Sequence, residues 1–119
     1  MKLRLHDDSV RLRLSPPEVA QLAETGAVES TTHIAVGAAL AVAVRADDIR
    51  QPHASLDGSS LTVTVPRAEA AVWAGDDREG LYGEQDAGDG RTLQIAVEKD
   101  YDCDHREPAA QDTFPRPDA

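Results

Sequence analysis

Two clusters of residues in this chain could do chemistry. The stretch "KDYDCDHREP" (99–108) holds the only cysteine, Cys103, with Asp102, Asp104 and His105 beside it. Cys103 and His105 alternate, so on an extended backbone both side chains point the same way. A thiolate and an imidazole so placed can chelate a soft metal, but zinc generally takes four ligands in a tetrahedron. No CxxC or HxxxH supplies the others, which would have to come from His6, His33, His53 or distant carboxylates. A nucleophilic Cys103–His105 pair needs an oxyanion site, and no helix start or glycine nest adjoins it. The plainer alternative is a strand end running into the Pro-rich tail "REPAAQDTFPRPDA" (106–119). In that tail Phe114 is placed to anchor on the domain or to engage a partner.

The second cluster is cationic. A hairpin turning at Asp7-Asp8 sets Leu5 opposite Val10, Arg4 opposite Arg11, Leu3 opposite Leu12 and Lys2 opposite Arg13. One face is then apolar and the other carries four positive charges, and the agreement of both faces supports that register. Like charges directly opposite each other cost a sheet roughly 0.2–1 kcal/mol per pair. Something must offset this. Glu29, Glu98 or other acids on neighbouring strands could interleave, or the face could lie open to water. Alternatively Lys2, Arg4, Arg11 and Arg13 form an anion site, because arginine presents a planar fork to phosphate or carboxylate.

The elements that must position these residues recur. "SVRLRLSPPEVAQLA" (9–23) aligns with "SLTVTVPRAEAAVWA" (60–74) at an offset of 51. Val10, Leu12 and Leu14 match Leu61, Val63 and Val65 in a strand. Val19, Leu22 and Ala23 match Ala70, Trp73 and Ala74 at the i, i+3, i+4 spacing of one helix face. Each unit opens with a short alternating stretch and a turn, "HDDS" or "LDGSS", and closes with a strand, "ALAVAVRADD" (39–48) or "TLQIAVEKDY" (92–101). Two ββαββ units are therefore expected, in residues 1–48 and 53–101. Ser15 with Glu18 makes a capping box, Pro16 opens the first helix, and Gly26 stops it. The fold class is α+β, with eight mostly antiparallel strands in one curved sheet or a closed barrel, plus two helices. At offset 51 the four cations become His53, Ser55, Thr62 and Thr64, so the hairpin itself does not require charge.

Composition bounds the rest. At 119 residues the chain is long enough for one core, expected as a single domain over 1–105 with 106–119 as a tail. Its net charge of −10 is uneven: residues 1–45 carry five basic and five acidic groups, residues 46–119 seven and seventeen. Such a surface repels nucleic-acid phosphates, so no nucleic-acid partner is expected. A lone cysteine cannot form an internal disulfide, and no apolar run is long enough for a membrane span, so a soluble cytoplasmic protein is expected. No motif calls for a cofactor. The partners left open are a small anion, a protein, or a second copy of the chain.

The stretches "MKLRL…SVRLRLSPPEVAQLAETGAVES" and "VEKDYDCDHR…DTFPRP" resemble a family of small bacterial proteins known as a domain of unknown function. The resemblance covers nearly the whole chain and implies a freestanding bacterial protein, with no activity or site residues to carry over. A looser architectural likeness is to triphosphate-tunnel phosphatases, whose barrels are built from duplicated strand–helix–strand units. It rests on the repeat and the Lys/Arg strands alone. Where those enzymes alternate glutamates ending in lysine, this chain reads "KLRLH". The leading expectation is a non-catalytic binding or interaction protein. Its rivals are an enzyme or sensor for a phosphorylated or carboxylated small molecule on the cationic hairpin, and a metal-binding protein using Cys103 and His105.

Overall fold

The computed structural model describes residues 1–101. β1 (Lys2–Leu5) and β2 (Ser9–Leu14) form a hairpin, α1 (Pro16–Thr25) follows, and β3 (Ala27–Ala35) with β4 (Ala38–Asp47) forms a second hairpin. The same order then recurs in β5 (His53–Asp57), β6 (Ser60–Pro66), α2 (Arg67–Gly75), β7 (Gly80–Gly88) and β8 (Arg91–Lys99). The fold is α+β, built from two ββαββ units.

The eight strands form neither a single curved sheet nor a closed barrel. They divide into two four-stranded sheets, ordered β1-β2-β8-β7 and β3-β4-β6-β5. Each sheet takes one hairpin from each unit, and each helix carries the chain from one sheet to the other. Within hairpins the pairing is antiparallel, whereas the central contacts β2–β8 and β4–β6 are parallel. The two units register identically. Val10 lies opposite Ile95 across the first junction, and its counterpart Leu61 lies opposite Val42 across the second. Even the irregularities agree, since β3 bulges between His33 and Ala35 and β7 between Asp86 and Gly88.

Local chemistry explains the turns and caps. Asp7 sits at φ +48 in the first turn, and its counterpart Gly58 sits at φ +59 in the other. Aspartate and glycine are among the residues that tolerate this left-handed region best. Glu18 Oε1 accepts from the Ser15 backbone N–H at 2.8 Å, and Gly26 ends α1 at φ +82 with its N–H bonded to the Leu22 carbonyl. α2 starts directly after Pro66, without a side-chain cap.

The two helices pack on each other and against both sheets. α1 buries Val19 and Leu22, and α2 buries their counterparts Ala70 and Trp73. Ala23, the third residue of the expected α1 face, is exposed instead. These side chains join Leu12, Leu14, Val44, Val63, Val65, Leu81 and Val97 in one apolar core. Trp73 is its largest member and is fully buried, with the Lys99 ammonium 5.7 Å from the ring centroid. In a core of small aliphatics, no neighbour can fill the space that this indole occupies. Trp73→Ala is therefore expected to cost about 3–5 kcal/mol, read as a lower urea midpoint by far-ultraviolet circular dichroism.

Candidate functional site

The polar face of the first sheet carries the cations, and its rows follow from the strand registers. The hairpin pairs as its sequence requires: Lys2 opposite Arg13 and Arg4 opposite Arg11. Parallel β8 then extends both rows, setting Glu98 beside Arg13 and Ala96 beside Arg11. Antiparallel β7 completes them with Gly80 beside Glu98 and Tyr82 beside Ala96. The rows thus read Lys2–Arg13–Glu98–Gly80 and Arg4–Arg11–Ala96–Tyr82. A third row begins at Ser9 and runs through Gln94 to Glu84.

Glu98 organises the first two rows. It is 5% exposed, the only charged residue among the buried ones described. Its Oε1 lies 3.3 Å from Arg11 Nε and 3.8 Å from Arg13 Nε, and its Oε2 accepts from Tyr82 Oη at 2.8 Å. A buried carboxylate is stable only when paired and hydrogen-bonded, and here both oxygens are engaged. Gly80 makes the room. A Cβ there would sit 2.8 Å from Glu98 Cγ and 3.0 Å from Tyr82 Oη. Lys2 is paired at the other end, with Asp100 at 2.9 Å.

The interleaving acid is therefore Glu98, joined by Asp100, and not Glu29, which lies on the other sheet. Three of the four cations have carboxylate partners. Arg4 makes no ion pair among the described residues. Arg4 and Arg11 line a recess of about 400 Å³ on this face, which Lys2 and Arg13 do not reach. Across the recess from the two arginines stands Tyr82, and Ser9, Gln94 and His6 complete its polar lining. The small Ala96 in the middle of the row leaves the hollow between the arginines and the phenol.

Such an arrangement can hold a small anion. Arginine has five N–H donors, and on Arg11 it is Nε, at 3.3 Å, that pairs with Glu98. The amide of Gln94 is partly committed, since its Nε2 donates to Glu84 Oε2 at 3.2 Å. Sequence reasoning found Arg4 and Arg11 but missed Tyr82, Gly80, Ala96 and Gln94, because they enter from the far end of the chain. One signal was present: "GLYG" (80–83) places a tyrosine between glycines in a strand, where glycine marks a close approach. Asp102, Cys103, Asp104 and His105 lie outside the described residues. Among the described residues no group of three or more His, Cys, Asp or Glu side chains is placed to hold a metal.

By its architecture this is an α+β protein of two interleaved ββαββ units with a cationic recess on one sheet. The chain belongs to DUF7009, a family of unknown function whose model matches residues 1–118. No curated protein and no solved structure matches it. No helix among the described residues is long and apolar enough to cross a membrane.

Tyr82 gives the site a spectroscopic handle. Tyr82 is 54% exposed, but partial desolvation on the sheet, then the hydrogen bond to Glu98 and the charges of Glu98 and Glu79, push its phenol from 10.0 up to about 12, with Arg11 pulling the other way. A folded-state value raised above the unfolded one means that this contact stabilises fully below about pH 10. That contribution is lost as the pH rises to about 12. The ultraviolet phenolate titration is expected to show one tyrosine ionising near pH 12, and Tyr82→Phe should abolish that step. Gly80→Ala should lower the urea midpoint more than an exposed glycine-to-alanine change, since Val97 O, at 2.7 Å from the new Cβ, is backbone and cannot yield.

Proposed function

We propose that the protein is a non-catalytic binding protein that takes a small anion, a phosphate or a carboxylate, between Arg4, Arg11 and Tyr82. The observation that carries this reading is the row Arg4–Arg11–Ala96–Tyr82. Two directly opposed guanidinium groups face a hollow, and one of them is unneutralised among the described residues. Leaving opposed charges on a sheet costs stability, so retaining them where the fold does not need them favours a role in binding. The second sheet supports this from within the same molecule. Its corresponding row reads Ser55–Thr62–Ala43–Glu29, with the alanine kept and the cations gone.

Binding fits better than turnover. The obvious acid–base pair, Tyr82 and Glu98, is consumed by mutual hydrogen bonding and by the two arginines. The net charge of −10 favours a small ligand over a polyanion, since a long phosphate chain would be repelled beyond the recess. The identical registers of the two units support descent from one duplicated unit. A bacterial cytoplasm, with a single cysteine kept reduced, is the setting this reading assumes.

Isothermal titration calorimetry with inorganic phosphate and with citrate tests it. At least one is expected to bind the wild type, weakening as salt rises. Arg4→Ala, an exposed change that leaves the Glu98 contacts intact, should reduce affinity about tenfold or more. Equal affinity for wild type and variant, or no heat with either ligand, would overturn the proposal.

A further inference from the structure

The two sheets have four edge strands, and three of them are guarded. β1 is four residues long and carries Lys2 and Arg4. On β5 the backbone N–H and C=O of Ala54 are both bonded to the Gln85 side-chain amide of β7, each at 2.8 Å, so that β5 and β7 shield each other. β7 also carries Glu84 and Asp86. Among the described residues β3 is guarded only at its first residue, where Gln21 Nε2 and Thr25 Oγ1 donate to Ala27 O at 3.3 and 3.1 Å; from Glu29 to His33 it has none of these devices. It is nine residues long without proline or lysine, and its only carboxylate is Glu29. The side chains of Glu29, Thr31 and His33 are exposed and make no hydrogen bond or ion pair among the described residues. Long, flat, weakly charged edges are templates for another strand.

We infer that β3 is the contact surface for a second copy of this chain, paired antiparallel across a two-fold axis at Thr31. A two-fold contact must be self-complementary, and this register is. It sets Thr31 against Thr31 of the second copy, Ser30 against Thr32, and Glu29 against His33, twice over. Val28 comes beside Ile34, which is 67% exposed in the single chain. The bulge after His33 bounds the regular segment at one end. The result is one continuous sheet of eight strands. It lies in the part of the chain, residues 1–45, that carries no net charge.

β7 serves as an internal control. At offset 53 Glu29, Thr31 and His33 become Tyr82, Glu84 and Asp86. The same two-fold pairing there would press Glu84 against its own copy and Tyr82 against Asp86. One edge permits what its counterpart forbids. This inference does not depend on the anion recess, which lies on the other sheet.

Sedimentation velocity of the full chain over a range of concentrations is the test. A reversible dimer is expected. Thr31→Lys, which places two ammonium groups on the axis, should leave monomer at every concentration. His33→Glu should weaken the dimer about tenfold or more by opposing carboxylates, and adding Glu29→His should restore it. Circular dichroism should be unchanged in each, because all three positions are exposed. A wild type that is monomeric throughout, a dimer that survives Thr31→Lys, or a swap that fails to restore association would overturn the inference.

Discussion

Glu98 stands where the two ends of the described chain meet. β2 and β8 are separated by most of the sequence, yet they run parallel and in register, and that register sets Glu98 beside Arg13 and within reach of Arg11. Without it, the first hairpin would present two like-charged pairs with nothing between them and the strand beyond. With it, the carboxylate pairs with both Arg11 and Arg13, accepts from Tyr82 Oη, and leaves Arg4 lining the recess. Removing one member of such a buried cluster costs far more than the cluster adds over an apolar equivalent. Its role is better described as fixing geometry than as adding stability.

The same constraint shapes the fold. Two hairpins from different units can lie side by side only if a helix carries the chain across in each unit. α1 leads from the first sheet to the second, and α2 leads back. Their inner faces, Val19 and Leu22 against Ala70 and Trp73, then fall on the axis between the sheets and close a single core. Symmetry stops at the polar surfaces. Where the first sheet has Glu98 beneath arginines, the second has Arg45 opposite Thr64, and the tyrosine becomes Glu29. One framework thus carries a cationic recess on one sheet and a nearly neutral edge on the other.

Much of this was legible in the residues. Alternation fixed the first hairpin because a one-residue slip would have put Leu3, Val10 and Leu12 in water, although Leu5, at the turn end of the same face, is 65% exposed. The spacing of Val19 and Leu22, and of Ala70 and Trp73, identified the helix faces. Glu98 could be named as an interleaving acid, but Glu29 was equally eligible, and nothing local distinguished them. Parallel pairing between remote strands leaves no turn to read, so neither the division into two sheets nor the arrival of Tyr82 beside Arg11 could be derived. Gly80 is the instructive case. Its lack of a side chain is explained by Val97 O, Glu98 Cγ and Tyr82 Oη, which would crowd a Cβ there, a closeness that pairing rules alone do not give even where the hairpin itself is readable.

A double-mutant cycle between Glu98 and the arginine pair examines this account at its centre. Urea unfolding of Glu98→Ala, of Arg11→Thr/Arg13→Thr, and of the combined variant gives the coupling between the buried acid and the two strands of cations. The threonines are the residues that the second sheet already carries at these positions, so the hairpin tolerates them. A loss of about 1–3 kcal/mol is expected for Glu98→Ala alone, since the arginines it leaves behind still reach water. In the threonine background that loss should shrink by about 0.5–3 kcal/mol. An equal loss in both backgrounds would mean that the arginines do not hold the carboxylate, contradicting the central claim.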